Sequence, residues 1–558
     1  MNWKLSSYPL PFLLIILTTV LHHRLTAALP LSTDSRWIID DGEFGKRVKL
    51  SCVNWASHLD AVIAEGLSKQ PVDVISNKIL KMGFNCVRLT YPLFLFTDKN
   101  LGSITVKQSF LKLGLFDAIT GFEVNNPSII DLPLIKAFQE VVASLDRNNV
   151  MIILDNQISK PGWCCSDSDG SGFFGDEYFD PDTWLTGLTQ VATMFKDTPN
   201  VVGMSLRNEL RGPKENVSIW YRYMQKGAEV VHATNPNVLV IVSGLSYDKD
   251  LSFLQIQPMS LTFSNKIVYE VHWYGFSNDE DWKNDNANEV CARVVYNITR
   301  RSGFLLDEGY PLFISEWGVD LRGTNEVDNR YLNCFSVWVA DHDLDWAIWT
   351  LAGSYYIRQG NVEMEEFFGV LDWDWRKPRN SSFLKKIAAI QSPFQGPGLS
   401  ENSQHKIIFH PATGLCVQHQ SFLQPLRLGP CSEAEGWDYT PNKALTIKGT
   451  NYCLKADELG NNVKLGTICT DTSTQWEPIS ASKLHLSSKI NNGEEVCLDA
   501  NSENTIVTNT CKCLADDNTC DPASQWFKII NGTMGSRATR MYSRIDTVLW
   551  SLGVNLFA

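Results

Sequence analysis

Met204-Ser205-Leu206-Arg207-Asn208-Glu209-Leu210 and Pro311-Leu312-Phe313-Ile314-Ser315-Glu316-Trp317-Gly318 stand more than a hundred residues apart and follow one plan. Each is an apolar, strand-like run that delivers a single glutamate near its C-terminal end. In an eight-stranded parallel barrel that end of a strand is where chemistry sits, so Glu209 and Glu316 are placed to face one another across a cleft. A facing pair of carboxyl groups is the equipment for hydrolysing a glycosidic bond. A lone strand-end glutamate usually just begins a solvated loop, so the reading depends on what surrounds the pair.

The surroundings favour a barrel. Within residues 29–390, apolar runs at 48–53, 86–90, 151–155, 201–206, 238–243, 267–271, 312–315 and 346–351 read as strands separated by long crossover connections. That pattern implies a parallel sheet covered on both faces, and eight such units favour an α/β fold, a closed (β/α)₈ TIM barrel, over an open doubly wound sheet. No Gly-rich fingerprint follows the first run, which weakens a dinucleotide-binding alternative. Polar and aromatic residues recur at the C-terminal ends: Arg88 in the second run, Asn208 and Glu209 after the fourth, His272-Trp273-Tyr274 after the sixth, Glu316-Trp317 in the seventh and Trp349 in the eighth. Any one of them has a structural explanation, whereas chance is a poor explanation of the whole set on one rim.

Asn208-Glu209, His272-Trp273-Tyr274, Glu316-Trp317-Gly318, Arg88 and Trp349 together resemble the motif set of glycoside hydrolase family 5, within the clan of retaining (β/α)₈ glycosidases. The resemblance implies that Glu209 is the acid/base and Glu316 the nucleophile. It also implies that Asn208 bonds the substrate 2-hydroxyl, Arg88 and Tyr274 hold Glu316 ionised and oriented, His272 joins the polar network, and Trp349 is a sugar platform. In a retaining mechanism the carboxyl groups lie roughly 5 to 5.5 Å apart, one attacking the anomeric carbon while the other protonates the departing oxygen. Many family members carry a His two residues after the Asp that ends the third strand; this chain reads Leu154-Asp155-Asn156-Gln157. Gln157 can hydrogen-bond a hydroxyl but cannot titrate, which bears on substrate preference more than on reaction class. Trp163, in Pro161-Gly162-Trp163-Cys164-Cys165, is either a stacking surface on a cleft wall or part of a minor core beside a disulfide-pinned loop.

The chain has 558 residues, 44% hydrophobic, enough for two or three domains with sizeable cores. Residues 1–28 read as a cleaved secretory signal, with Lys4 ahead of the apolar run 10–21 and small residues at 26–28. The fourteen cysteines and the sequons at Asn216, Asn297, Asn380 and Asn531 agree with secretion to the extracellular space or cell wall as a disulfide-bonded glycoprotein. The net charge of −13 disfavours nucleic acid and anionic membranes and suits a neutral glycan. No metal-ligand motif appears, and two carboxylates and water suffice for the reaction, so neither metal nor organic cofactor is expected. The apolar stretch 548–558 is short and suits packing better than stable membrane insertion.

Residues 391–403 cluster Pro, Gly and Ser and read as a linker, with a tail at 532–558. Between them, residues 404–531 hold eight of the cysteines in a threefold pattern: Cys416 and Cys431 precede Trp437, Cys453 and Cys469 precede Trp476, and Cys497 and Cys511 precede Trp526. A repeat of this kind suggests an all-β trefoil with one bridge per lobe and an extra Cys513–Cys520 bridge. The region resembles the ricin B-type lectin family, whose repeat-ending Gln-X-Trp is degenerate here. The resemblance places a sugar-binding Asp only in the third repeat, at Asp499, because Gln418 and Lys455 occupy the other two positions. Expected partners are therefore a polysaccharide or oligosaccharide substrate and a glycan ligand of the trefoil. The expected activity is an endo-β-1,4-glucanase-like or β-mannanase-like hydrolase; the rival reading is a catalytically silent carbohydrate-binding protein.

Overall fold

The computed structural model describes residues 30–533 apart from 44, 400–403, 423, 491 and 516. The secretory segment and nearly all of the C-terminal tail expected from sequence lie outside the described residues.

Eight parallel strands close into a barrel in sequential order: β1 Ser51–Trp55, β2 Cys86–Pro92, β3 Met151–Ile158, β4 Val201–Ser205, β5 Leu239–Val242, β6 Ile267–His272, β7 Leu312–Trp317 and β8 Asp345–Ile348. Each is buried along its whole length, which is why the sequence shows near-continuous apolar runs rather than alternation. The crossover helices are amphipathic. In Leu134–Arg147, Leu134, Ala137, Phe138, Val141, Val142 and Leu145 recur at helical spacing and are buried against the sheet, while the charged side chains take the opposite face. Asparagines cap several of these helices: Asn216 accepts from the Ile219 N–H, Asn325 from Asp328 and Asn380 from Phe383.

Side-chain alternation divides the lumen into two levels. The lower level is apolar, with Cys52, Cys86, Ile153, Leu239, Ile241, Val268, Phe313 and Ala347 in one cluster, and Leu31 and Ile38 of the N-terminal antiparallel strands pack into it. Two residues further along the same strand faces the chemistry changes: Cys52 gives way to Asn54, Cys86 to Arg88, Ile153 to Asp155 and then Gln157, Val268 to Glu270 and then His272. The barrel is thus plugged by hydrocarbon below and polar at its C-terminal mouth, as an active-site face requires.

The C-terminal region is built of short antiparallel strands. One sheet runs through Arg427–Gly429, Leu415–Gln418, His405–His410, Trp437–Tyr439, Leu445–Ile447, Cys453–Lys455 and Lys464–Gly466, and a four-stranded sheet spans Glu477–Ile479 to Ile506–Asn509. The first strand of the region pairs with the last, His405–His410 with Lys528–Gly532. Trp437 and Trp476 lie in a core of the region's own, whereas Trp526 packs in the cluster shared with the barrel. Across that junction the Trp526 indole donates to Asn288 Oδ1 at 3.0 Å, Asn286 Nδ2 donates to the Cys513 and Ala515 carbonyls at 3.1 and 3.0 Å, and Lys528 pairs with Asp341 at 2.9 Å. The Pro/Gly-rich segment expected as a linker is anchored where it is described: Asp343 Oδ2 accepts the Phe394 and Gln395 N–H groups, both at 3.0 Å, and Phe394 is buried.

Disulfides join Cys416–Cys431, Cys453–Cys469 and Cys497–Cys511, one per repeat, together with Cys513–Cys520. The barrel cysteines, unassigned from sequence, pair as Cys52–Cys86, Cys164–Cys165 and Cys291–Cys334. The last closes a loop with a sequence separation of 43 and ties helix Ala287–Ile298 to helix Glu326–His342. Replacing both Cys291 and Cys334 with alanine is expected to cost about 2–5 kcal/mol, read as a lower midpoint in urea unfolding. Among the described residues, no helix is long and apolar enough to cross a membrane.

Candidate active site

Arg88 organises the mouth of the barrel. It is fully buried on β2, where a lone cation would be untenable, and every nearby strand supplies it with a partner. Nη1 donates to Asn54 Oδ1 at 3.0 Å and to Glu316 Oε1 at 3.0 Å, and Nη2 donates to Asp155 Oδ1 and Asn208 Oδ1, both at 2.8 Å. Glu270 Oε2 lies 3.7 Å from Nη2. The surrounding carboxylates outweigh burial and raise the guanidinium above its ordinary value.

Glu316 is 5% exposed and held by four side chains. Besides Arg88, the Tyr274 hydroxyl donates to Oε2 at 2.9 Å, Gln157 Nε2 donates to Oε1 at 3.2 Å, and His272 Nδ1 stands 3.8 Å from Oε2. Burial alone would raise this carboxyl, but His272, Arg88, Gln157 and Tyr274 together bring it below the usual range, so it is ionised at neutral pH. The glycine two residues on is required for close packing, because a Cβ at Gly318 would meet the Trp349 carbonyl oxygen at 2.5 Å.

His272 pairs in register with Glu316 across β6 and β7. Burial lowers its pKa, but Glu316, Glu209 and Asp248 prevail and push it up to about 9. The charged ring donates from Nδ1 to Glu209 Oε1 at 2.9 Å, with Nε2 3.5 Å from Asp248 Oδ2. Glu209 is a non-glycine residue at φ 43°, in the left-handed region, and its N–H is taken by Asp248 Oδ2 at 3.0 Å. Asp248 closes a run of three left-handed residues, Ser246, Tyr247 and Asp248, at φ 56°, 61° and 56°. Backbone strain of this kind persists where the surroundings over-determine it, and here it aims Glu209. A carboxylate oxygen of Glu209 and one of Glu316 lie within 4.8 Å of each other and of a His272 ring nitrogen.

These groups border a cavity of about 510 Å³, whose wall includes Gln157, Trp163, Glu209, Tyr274, Glu316 and Trp349. A separate depression of about 200 Å³ shares Lys249, His272 and Ser277 with it and is otherwise lined by Val271, Trp273 and the helix Ala287–Ile298. Trp163 stands in the wall, its ring centroid 6.2 Å from that of Trp349, with the Arg358 guanidinium 3.5 Å over its face. The structure therefore brings Arg88, Gln157, Trp163, Asn208, Glu209, His272, Tyr274, Glu316 and Trp349 together. Asp499 lies elsewhere, in the C-terminal region, buried and accepting from Asn509 Nδ2 at 3.0 Å and Gln525 Nε2 at 3.1 Å. Of the sequons, Asn216, Asn297 and Asn531 are exposed, whereas Asn380 is half-buried and its amide donates to the Leu321 carbonyl.

Sequence reasoning missed Asn54, Asp248, Glu270 and His58, and marked Asp155 only as the end of the third strand, without its bond to Arg88. His58 is buried 6.3 Å from the Trp349 ring and pushed down to about 3 by burial, hence neutral. Asn54, Asp155 and Glu270 carry one available signal, a polar residue interrupting an apolar strand on its lumenal face.

The sequence and the fold have clear counterparts. The sequence model of the Cellulase (glycosyl hydrolase family 5) family matches residues 66–354. A glycosyl hydrolase 5 family protein of Chamaecyparis obtusa is 42% identical over 536 residues, covering 93% of this chain and 95% of the relative. An endoglucanase of Paenibacillus polymyxa is 22% identical over 386 residues, covering 65% of this chain and 88% of the relative. Among solved structures, the catalytic domain of the major endoglucanase of Xanthomonas campestris pv. campestris shares the fold at a TM-score of 0.51 and 19% identity, covering 65% of this chain and 99% of that one. A hyperthermophilic endocellulase of Pyrococcus horikoshii does so at 0.52 and 17%, with the same coverage. On the strength of the family match and the 42% identical relative, the chain is a member of glycosyl hydrolase family 5 and hydrolyses O-glycosyl bonds.

Proposed function

We propose that the protein is a secreted, retaining, endo-acting hydrolase of β-linked polysaccharide, of β-1,4-glucanase or β-mannanase type. The observation that carries this reading is that one oxygen of each carboxylate lies within 4.8 Å of the other, an approach that suits the roughly 5–5.5 Å of retaining pairs better than the roughly 6.5–9.5 Å of inverting ones. Ionised Glu316 attacks the anomeric carbon while Glu209 delivers a proton to the departing oxygen, giving a glycosyl-enzyme and a free chain end. Glu209 then takes a proton from water, which displaces Glu316 and regenerates both groups. Arg88 and Tyr274 hold the nucleophile, His272 and Asp248 fix the acid/base, and Trp349 and Trp163 offer aromatic faces to sugar rings.

Endo action on a glucan is supported by relatives named as endoglucanases. Secretion is supported by disulfides and by the absence of free cysteines among the described residues. We infer a trefoil, lectin-like fold for the C-terminal region from its three bridges at sequence separations of 15, 16 and 14, each followed by a buried tryptophan, and from the pairing of its first and last strands. Glycan binding at Asp499 and N-glycosylation at Asn216, Asn297, Asn380 and Asn531 belong to the same proposal.

The test is hydrolysis of soluble β-glucan, glucomannan, galactomannan and xylan by the secreted protein beside Glu316→Gln and Glu209→Gln variants. Cleavage of one backbone, lost in Glu316→Gln, is expected; cleavage of none by the wild type would contradict the reading.

The electrostatics also set a pH dependence. Because the folded pKa of Glu316 is depressed, the nucleophile stays ionised as pH falls through the usual glutamate range of about 4.3, and activity is lost only below it. Tyr274→Phe removes one donor to Glu316 and is expected to move the acid limb of kcat/KM upward. An unmoved limb would mean that Tyr274 does not tune Glu316.

A further inference from the structure

The adjacent pair Cys164–Cys165 forms a disulfide in the wall of the catalytic cavity. Both Sγ atoms and a Glu209 carboxylate oxygen lie within 4.8 Å of one another. Asn208, the residue that precedes Glu209, is fully buried behind this pair. Its Oδ1 is committed to Arg88, and its Nδ2 is directed at Cys164 Sγ and Cys165 Sγ, at 3.8 and 3.6 Å. The cavity wall at this point therefore consists of sulfur, not amide. Trp163, next in the chain, continues the wall, stacked under Arg358.

We propose that the Cys164–Cys165 disulfide is a substrate-contacting, specificity-determining surface, against which the sugar ring beside Glu209 packs. The proposal rests on the glycosidase reading and deepens it. Sulfur is soft and polarisable, suited to the C–H face of a sugar and only a weak acceptor for its hydroxyls. A neutral glycan ring meets that surface by shape and dispersion, while the Asn208 amide behind it supports the sulfurs. A chain bearing this wall selects a ring by its apolar face.

Two measurements test this. The first compares the wild type with Cys164→Ala/Cys165→Ala on whichever soluble glycan the wild type cleaves best. A rise in KM of about tenfold with the thermal midpoint retained is expected for loss of a direct contact. A folded variant with KM and kcat within about twofold of the wild type would overturn the proposal. The second needs no cysteine variant: the Glu316→Gln protein is treated with a phosphine reductant with and without a saturating tetrasaccharide of the backbone that the wild type cleaves best, and each bridge is followed by alkylation and mass spectrometry. Slower reduction of Cys164–Cys165 in the presence of that tetrasaccharide, with Cys513–Cys520 unaffected, is expected; equal rates overturn the proposal even if the double variant fails to fold. Cleavage by the wild type without such protection removes this inference alone, whereas a wild type that cleaves no glycan removes the catalytic reading and this inference with it.

Discussion

Glu316→Gln is expected to lower kcat on any susceptible glycan by a factor on the order of 10⁴ or more, leaving the fold and the affinity for oligosaccharide intact. The size of the effect follows from the reaction: without a carboxylate there is no covalent intermediate, and an amide cannot replace it as nucleophile. The substitution is nearly isosteric, and the Tyr274, Gln157 and Arg88 donors that now serve the charge would face a neutral amide. Removing the negative charge leaves the buried Arg88 with Asp155 and Asn208, both at 2.8 Å, so the barrel mouth keeps its main supports. Kinetics and oligosaccharide titration on the same preparation separate lost chemistry from lost binding.

Glu209→Gln is expected to behave differently, and the difference is the more informative result. General acid/base catalysis contributes roughly 10²–10⁴ in rate, so cleavage of an unactivated glycan falls by about that factor. An aryl glycoside with a good leaving group needs no protonation, so its first step is largely spared and the glycosyl-enzyme accumulates as a burst. Added azide, a nucleophile that needs no general base, should then restore turnover and yield a glycosyl azide. No burst and no azide rescue would place the acid/base elsewhere. His272, charged and 2.9 Å from Glu209, is the neighbour through which a wrong assignment would be traced.

Much of the barrel was legible because its strands are buried on both faces and therefore written as apolar runs; the observed strands begin and end within a few residues of those runs. The third extends through Ile158, beyond the apolar stretch, because Asn156 pairs with Tyr91 and, after a register shift at Gln157, Ile158 pairs with Pro92. Glu209, Glu316, Arg88 and Tyr274 were legible as strand-end motifs. Asp248 was not: it reaches Glu209 only through three consecutive left-handed residues, none of them glycine, and no composition signal announces that backbone. Asn54 and Glu270 were hidden because one polar residue in a strand reads equally well as lumenal or outward-facing.

Cysteine pairing shows the same division. In the C-terminal region the repeat marked which cysteines belong together, since separations of 15, 16 and 14 recur, each pair ahead of a tryptophan. In the barrel no repeat existed, and the neighbours Cys164 and Cys165, which bond each other, carried no spacing signal at all. The segment after residue 390 was legible as non-helical from its Pro and Gly content. Its anchoring on Asp343 was not, because the partner lies far away in sequence.

The central claim is that Glu209 and Glu316 act as a retaining pair, and it is tested most directly by the anomeric configuration of the first product. Proton NMR of a β-linked oligosaccharide during the first minutes of hydrolysis, before mutarotation, reports that configuration without reference to any variant. Two displacements, by Glu316 and then by water, predict the β-anomer. An initial α-anomer would mean a single displacement and would contradict the account.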